Sequence, residues 1–180
     1  MNLMELWESL SLNFRLSDFL SMFYTGSVQL KDSPDNLPVV FFGIIQFLLV
    51  LVFFLNKKIR IKEKVISVIL ILILELSLQV SLINIVWHGL SKNAWFNYRY
   101  SFVLSFILLL IAYRSATMFP DDWKILFLSE LMFLFITFVV FYLNRAERDN
   151  SDFFNMAGDI FLSIAGLILI YIIIQKNILE

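Results

Sequence analysis

The side chains best suited to chemistry cluster in one short stretch, residues 87–102, reading WHGLSKNAWFNYRYSF. It holds a histidine, an arginine, a lysine, two tryptophans and two tyrosines. Arg99, between Tyr98 and Tyr100, offers a planar fork that suits bidentate contact with a phosphate. It equally fits an interfacial anchor, because Arg and Tyr at the end of a span snorkel and form aromatic belts. His88 can orient a phosphate or shuttle a proton near neutral pH. It can also end a helix by bonding the last carbonyls, with Gly89 following as the C′ residue. Trp87 and Trp95 can stack on a sugar face or on isoprenoid carbons, or sit at the interface as tryptophans commonly do.

A second set of polar residues lies inside an apolar run. Glu75 falls near the middle of residues 65–86, with Gln79 one turn on along the same face and Asn84 further along. A carboxyl at membrane depth is costly and points to a function facing the bundle interior. The alternative is a packing residue satisfied by a polar neighbour on another helix. Glu130 and Asp159 are expected nearer the interfaces, in reach of water and without a role. Asp18, Asp32 and Asp35 are weaker candidates for a general base, since Asp32-Ser33-Pro34-Asp35 reads as a turn.

The elements that must position these residues follow from composition. The 180 residues are 60% hydrophobic and 16% charged, against roughly 25% charged in ordinary soluble domains, and the mean hydropathy is +0.83. Too few polar residues exist to clothe a soluble globule, so the chain reads as an integral membrane protein. A net charge of −1 offers no basic excess for nucleic acid. With no cysteine and one histidine, disulfides, thiolate catalysis, zinc–thiolate sites and paired-histidine metal motifs are excluded. No metal or cofactor site is expected. The N-terminus carries two glutamates and no early Lys or Arg, unlike the basic start of a signal peptide.

A hydrocarbon core about 30 Å thick requires about 20 apolar residues at 1.5 Å rise. Five stretches come close: 37–55, 65–86, 101–119, 125–143 and 160–175, the last extended by Phe153, Phe154 and Met156. The expected fold is therefore an all-α membrane bundle of about five spans over residues 37–180. Residues 1–36 form a separate extracytoplasmic amphipathic segment. There Leu3, Leu6, Trp7 and Leu10, then Leu16, Phe19, Leu20 and Phe23, repeat at helical spacing, as expected for interfacial helices or helices lying against others. Ser101, Ser105, Ala112 and Ala116 share a face on which another helix can approach closely. No internal repeat of the kind common in transporter cores is visible, and Gly or Pro breaks within the spans are few.

Orientation rests on residues 56–64, NKKIRIKEK, with five basic residues and one glutamate. The positive-inside rule places this loop in the cytoplasm, and the 87–99 loop outside. Over the whole topology the bias is small, with eight Lys/Arg inside and six outside.

Three segments in order resemble the YfhO family of bacterial polytopic membrane proteins. The first is Asp18-Phe19-Leu20 leading to Leu37-Pro38 and Phe42-Gly43. The second is Lys62-Glu63-Lys64 before an apolar span. The third is Trp87-His88-Gly89, then Tyr98-Arg99-Tyr100-Ser101-Phe102, then Ala112-Tyr113-Arg114. The resemblance covers roughly residues 15–118. It implies a multi-span transferase in the bacterial cytoplasmic membrane that moves a sugar from a polyprenyl-phosphate carrier to an envelope polymer, such as teichoic acid, on the outer face. Trp87, His88, Tyr98, Arg99 and Tyr100 would then line the substrate groove. Family members are much longer and are thought to use an acid in an outer loop near their N-terminus. This sequence resembles an interior part without that acid, which leaves a second expectation open: a non-catalytic partner or scaffold working with a complementing membrane chain.

Overall fold

A computed structural model describes residues 12, 14–25, 38, 40, 42–87, 98, 100–120, 122–144 and 150–179. Among these there are seven helices and no strand. They are α1 (Leu16–Ser21), α2 (Ile44–Leu55), α3 (Ile61–Gln79), α4 (Ser81–Trp87), α5 (Ser101–Thr117), α6 (Trp123–Asn144) and α7 (Asn150–Leu179). The all-α expectation holds. Two segments are long and apolar enough to cross a membrane alone, Trp123–Asn144 and Phe153–Ile172, whereas Ile44–Leu55 and Ser101–Thr117 are shorter apolar helices. Large apolar side chains stay exposed around α3, α5, α6 and α7. Such exposure is prohibitive in water and ordinary in lipid.

α2 is the hub, packing against α5 most extensively and also against α6 and α7. Its buried residues include Ile44, Phe47, Leu48, Leu51 and Val52 on one face and Val50 and Phe53 on the opposite one, as expected where neighbours surround it. α2 and α5 end together, for Asn56 Nδ2 donates to the Met118 carbonyl and Lys58 Nζ to that of Phe119. α6 and α7 run antiparallel, with Glu130 opposite Ser163 and Phe141 opposite Phe153. The helices therefore alternate between a basic end, marked by residues 56–64 and Lys124, and an aromatic end, marked by Trp87 and Tyr100.

Two expectations require correction, and a third is narrowed. Among the described residues of the 37–55 stretch, the helix begins at Ile44. Gly43 precedes it at φ +102°, a conformation that residues with a Cβ rarely adopt, and Pro38, Val40 and Phe42 before it are buried without helix. Irregular backbone at membrane depth is tolerable where protein surrounds it.

The 65–86 stretch is two helices, interrupted at Val80 although neither Gly nor Pro is present there. Val80 is extended, at φ −94° and ψ 118°, and forms an antiparallel bridge with Leu12.

The third concerns the N-terminal segment, expected at the interface or against other helices: its residues 14–25 pack against other helices. Phe14, Phe19, Met22, Phe23 and Tyr24 are buried in the same core as Phe47 and Phe133. The earlier amphipathic repeat at Leu3–Leu10 is outside the described residues.

The small-residue stripe on α5 is only partly a contact face. Ser101 and Ala112 are buried, but so are Leu104, Leu108, Ile111 and Ser115, while Ala116 is exposed. The i, i+3, i+4 rhythm of that set fixes the buried face, and small side chains alone do not.

Candidate functional site

At the aromatic end, the break at Val80 lets α4 turn away and carry Trp87 to its last position. Trp87 stacks on Tyr100, with ring centroids 4.8 Å apart and planes 13° from parallel. Tyr100 occupies the N-cap position of α5, and its hydroxyl donates to the Ser77 carbonyl at 2.5 Å. One hydrogen bond thus ties the start of α5 to the last turn of α3. Burial, and secondarily Tyr98 alongside, pushes the Tyr100 phenol well above its ordinary range. Held by that hydrogen bond, the ring backs the Trp87 face. Trp87 remains 50% exposed, so it presents aromatic surface backed by a second ring. Such a platform suits the apolar face of a sugar or an isoprenoid unit.

Tyr98 approaches Phe14 edge-on at 6.1 Å. From there an aromatic series runs inward through Phe19, Phe23, Phe47 and Phe133. His88, Trp95 and Arg99 lie outside the described residues. The structure thus brings Trp87 and Tyr100 together and places Tyr98 against the N-terminal segment.

Glu75 is 8% exposed, and its Oε1 has no hydrogen-bond partner among the described residues. Gln79 is also buried and donates through Nε2 to the Phe14 carbonyl at 3.4 Å. These two residues therefore face the bundle without bonding one another. Asn84 lies within α4, and its side chain is outside the described residues. Asp18 is occupied in its own helix start, accepting the Arg15 amide at 3.0 Å. Asp32 and Asp35 are outside the described residues.

Sequence reading missed the residues that seat the N-terminal segment. Asp159 is 1% exposed, not in reach of water. Its carboxylate accepts the Thr25 amide at 2.8 Å and the Thr25 hydroxyl at 2.5 Å. Tyr24 shares a hydrogen bond of 2.9 Å with Thr137 Oγ1. Asn144 donates to the Ser17 carbonyl at 3.2 Å. Glu130 is buried too and accepts from Ser163 at 2.8 Å, leaving Oε2 without a partner. Nine residues into α7, Asp159 sits about 14 Å along that helix from its start, so the clasp reaches well below the aromatic end. The available signal was an acid inside an apolar run, and its partner 134 positions earlier left no local trace. No group of three or more His, Asp or Glu side chains arranged for a metal occurs among the described residues.

The chain matches the family described as bacterial membrane protein YfhO over residues 4–179. The match runs well beyond the 15–118 stretch that carried the resemblance. No curated protein and no solved structure matches the chain.

Proposed function

Since this chain belongs to the YfhO family of bacterial membrane proteins, we propose that it forms part of a membrane-embedded glycosyltransferase. In this reading, a sugar passes from a polyprenyl-phosphate carrier to an envelope polymer such as teichoic acid. The observation that carries it is the Trp87–Tyr100 stack, half open at the end of a helix that the Val80 break has turned aside. Sugar rings present C–H faces that pack on such surfaces, and isoprenoid chains do the same. Arg99, next to Tyr100 in sequence, would supply the cation for the carrier phosphate, and His88, next to Trp87, a polar contact to it.

The topology proposed with this function has five crossings. The α3–α4 pair counts as one, and the N-terminal segment together with α2 fills another. Residues 56–64 then face the cytoplasm and the 87–99 loop faces outward, where carrier and polymer meet.

A second reading has one specific observation behind it. Asp18 spends its carboxylate on its own helix cap, and the buried acids Asp159 and Glu130 accept from Thr25 and Ser163. A non-catalytic scaffold that completes its site with another membrane chain would look the same.

The test is NMR of teichoic acids extracted from cells with and without the gene. Loss of a glycosyl signal, restored by this chain, supports the transferase. An unchanged polymer sinks it. With transfer established, Trp87→Ala lowers it about threefold to tenfold at equal membrane abundance, as a lost aromatic contact implies. Arg99→Ala lowers it further, and unchanged transfer in that variant removes the phosphate role.

A further inference from the structure

The basic end has a site of its own. Glu63, in the first turn of α3, is held between two arginines: Arg60 Nε meets Oε1 at 2.8 Å and Arg114 Nε meets Oε2 at 3.1 Å. Each guanidinium uses its inner nitrogen, which leaves the terminal amino groups of both arginines free among the described residues. Lys57 and Lys62 of the same basic segment are exposed, and the two arginines are the cations that hold the carboxylate. Lys58 and Lys64 differ, since their ammonium groups donate to the Phe119 and Phe54 carbonyls.

Below this cluster, apolar side chains on both α3 and α5 are exposed. Helical spacing puts Leu70, Leu74 and Leu78 on the Glu63 face of α3. Their exposure runs from 37% at Leu70 to 6% and then 1% toward the aromatic end. On the Arg114 face of α5 the same gradient runs from Leu110, exposed, through Ile107, partly buried, to Leu104, fully buried. Their side chains are therefore buried together near Leu78 and Leu104 and exposed near Leu70 and Leu110, an apolar wedge that the Glu63–Arg114 ion pair bridges at the basic end. From Glu63 to Leu74 the wedge is about 16 Å long at 1.5 Å per residue, close to the roughly 15 Å hydrocarbon depth of a single leaflet.

We propose that this wedge holds one anionic phospholipid, its phosphodiester on the terminal nitrogens of Arg60 and Arg114 and an acyl chain along Ile66, Leu70 and Leu110. The paired forks match phosphate oxygens. Basic pockets between membrane helices on the cytoplasmic side bind such headgroups, and the apolar floor matches one chain. The proposal is independent of the glycosyltransferase reading and concerns the opposite end of the bundle.

The experiment is native mass spectrometry of the full chain in detergent. It is run with added phosphatidylglycerol, with phosphatidylcholine of the same acyl chains, and with glycerol phosphate. The expected result is one retained phosphatidylglycerol per chain, favoured about tenfold or more over phosphatidylcholine, as two arginine contacts imply. Arg60→Gln with Arg114→Gln removes that preference. Leu70→Trp, which fills the wedge and leaves both guanidiniums, lowers retention about tenfold by excluding the chain. This variant keeps the test open if the double substitution does not fold. Equal retention of both lipids overturns the proposal, as does an unaltered preference in the variants. Equivalent binding of glycerol phosphate reveals a phosphate site without lipid. A Leu70→Cys disulfide between two chains shows a second copy in the wedge.

Discussion

The two ends of this bundle are held by different physics. At the basic end the contacts are charged or run to backbone carbonyls, and several are local. Lys58 N donates to Asn56 Oδ1 at 2.9 Å, Lys64 Nζ caps Phe54 at the end of α2, and Arg60 pairs with Glu63 three residues on. In the aromatic half the contacts are neutral hydrogen bonds or carboxylate acceptors embedded in ring packing. Those of the clasp link residues more than a hundred positions apart, as Tyr24–Thr137 and Thr25–Asp159 do. Where water is close, exposed ion pairs contribute little, so the basic end tolerates loss. Where water is excluded, a stranded donor has no replacement partner, so the aromatic end does not.

The sharpest way to break this contrast is Asp159→Ala. It strands the Thr25 amide and hydroxyl and destabilises the fold by about 1–3 kcal/mol. It also frees residues 14–25, so a cysteine at Met22, buried in the folded chain, becomes reactive to a water-soluble maleimide. Asp159→Asn keeps one acceptor oxygen and recovers part of the loss. If Asp159→Ala leaves both the thermal midpoint and the labelling unchanged, the clasp does not hold the segment.

A smaller effect is expected at the α2–α7 contact. A Cβ on Gly166 would meet Ile45 Cγ1 at 3.0 Å, and Ile45 is partly exposed and able to swing aside. Gly166→Leu therefore costs about 1 kcal/mol by overpacking, and Ile45→Ala in the same chain restores most of it. A thermal melt of the four variants in detergent gives the coupling. Additive effects would show that the two helices are not in close contact there.

The smallest effect lies at Glu63. Arg60 first, then Arg114, holds its carboxyl below the ordinary value of 4.5. A carboxyl with a depressed folded pKa adds stability above the unfolded value, and that stability is lost as pH falls through the folded one. Acid titration of wild type should thus show a weak decline below pH 4.5 that Glu63→Gln lacks. The difference should shrink in high salt. Identical acid profiles would mean that the arginine pair does not act on this carboxyl.

Much of the fold was legible in the chain because membrane elements obey local rules. The apolar runs around 101–119 and 125–143 became α5 and α6 with boundaries shifted by two residues at most. The last run was placed correctly, but α7 extends well beyond it at both ends. The basic loop at 56–64 became a turn capped by its own side chains. The site was legible only as a pair. Trp87 and Tyr100 share a motif in sequence and share a stack in space, but Ser77, which accepts from Tyr100, and Phe14, which meets Tyr98, carried no signal. Asp159 was visible as an acid in an apolar run and was misread as interfacial, since its depth depends on where α7 begins.

By itself, the sequence determined that this is an all-α membrane protein, where its main apolar helices lie and which loop gathers the aromatic and cationic side chains. Composition, hydropathy and the 3.6-residue repeat act over a few turns, and a few turns of chain contain them. Only the tertiary structure decided that residues 14–25 enter the bundle, that α2 begins at Ile44 and that the 65–86 run breaks at Val80. Each of these is set by a distant partner: Asp159 and Thr137 for the segment, Phe23 and Tyr24 packed at the start of α2, Leu12 for the break. In an apolar medium backbone polar groups must find protein partners, and which partner is in reach is a property of the packed bundle.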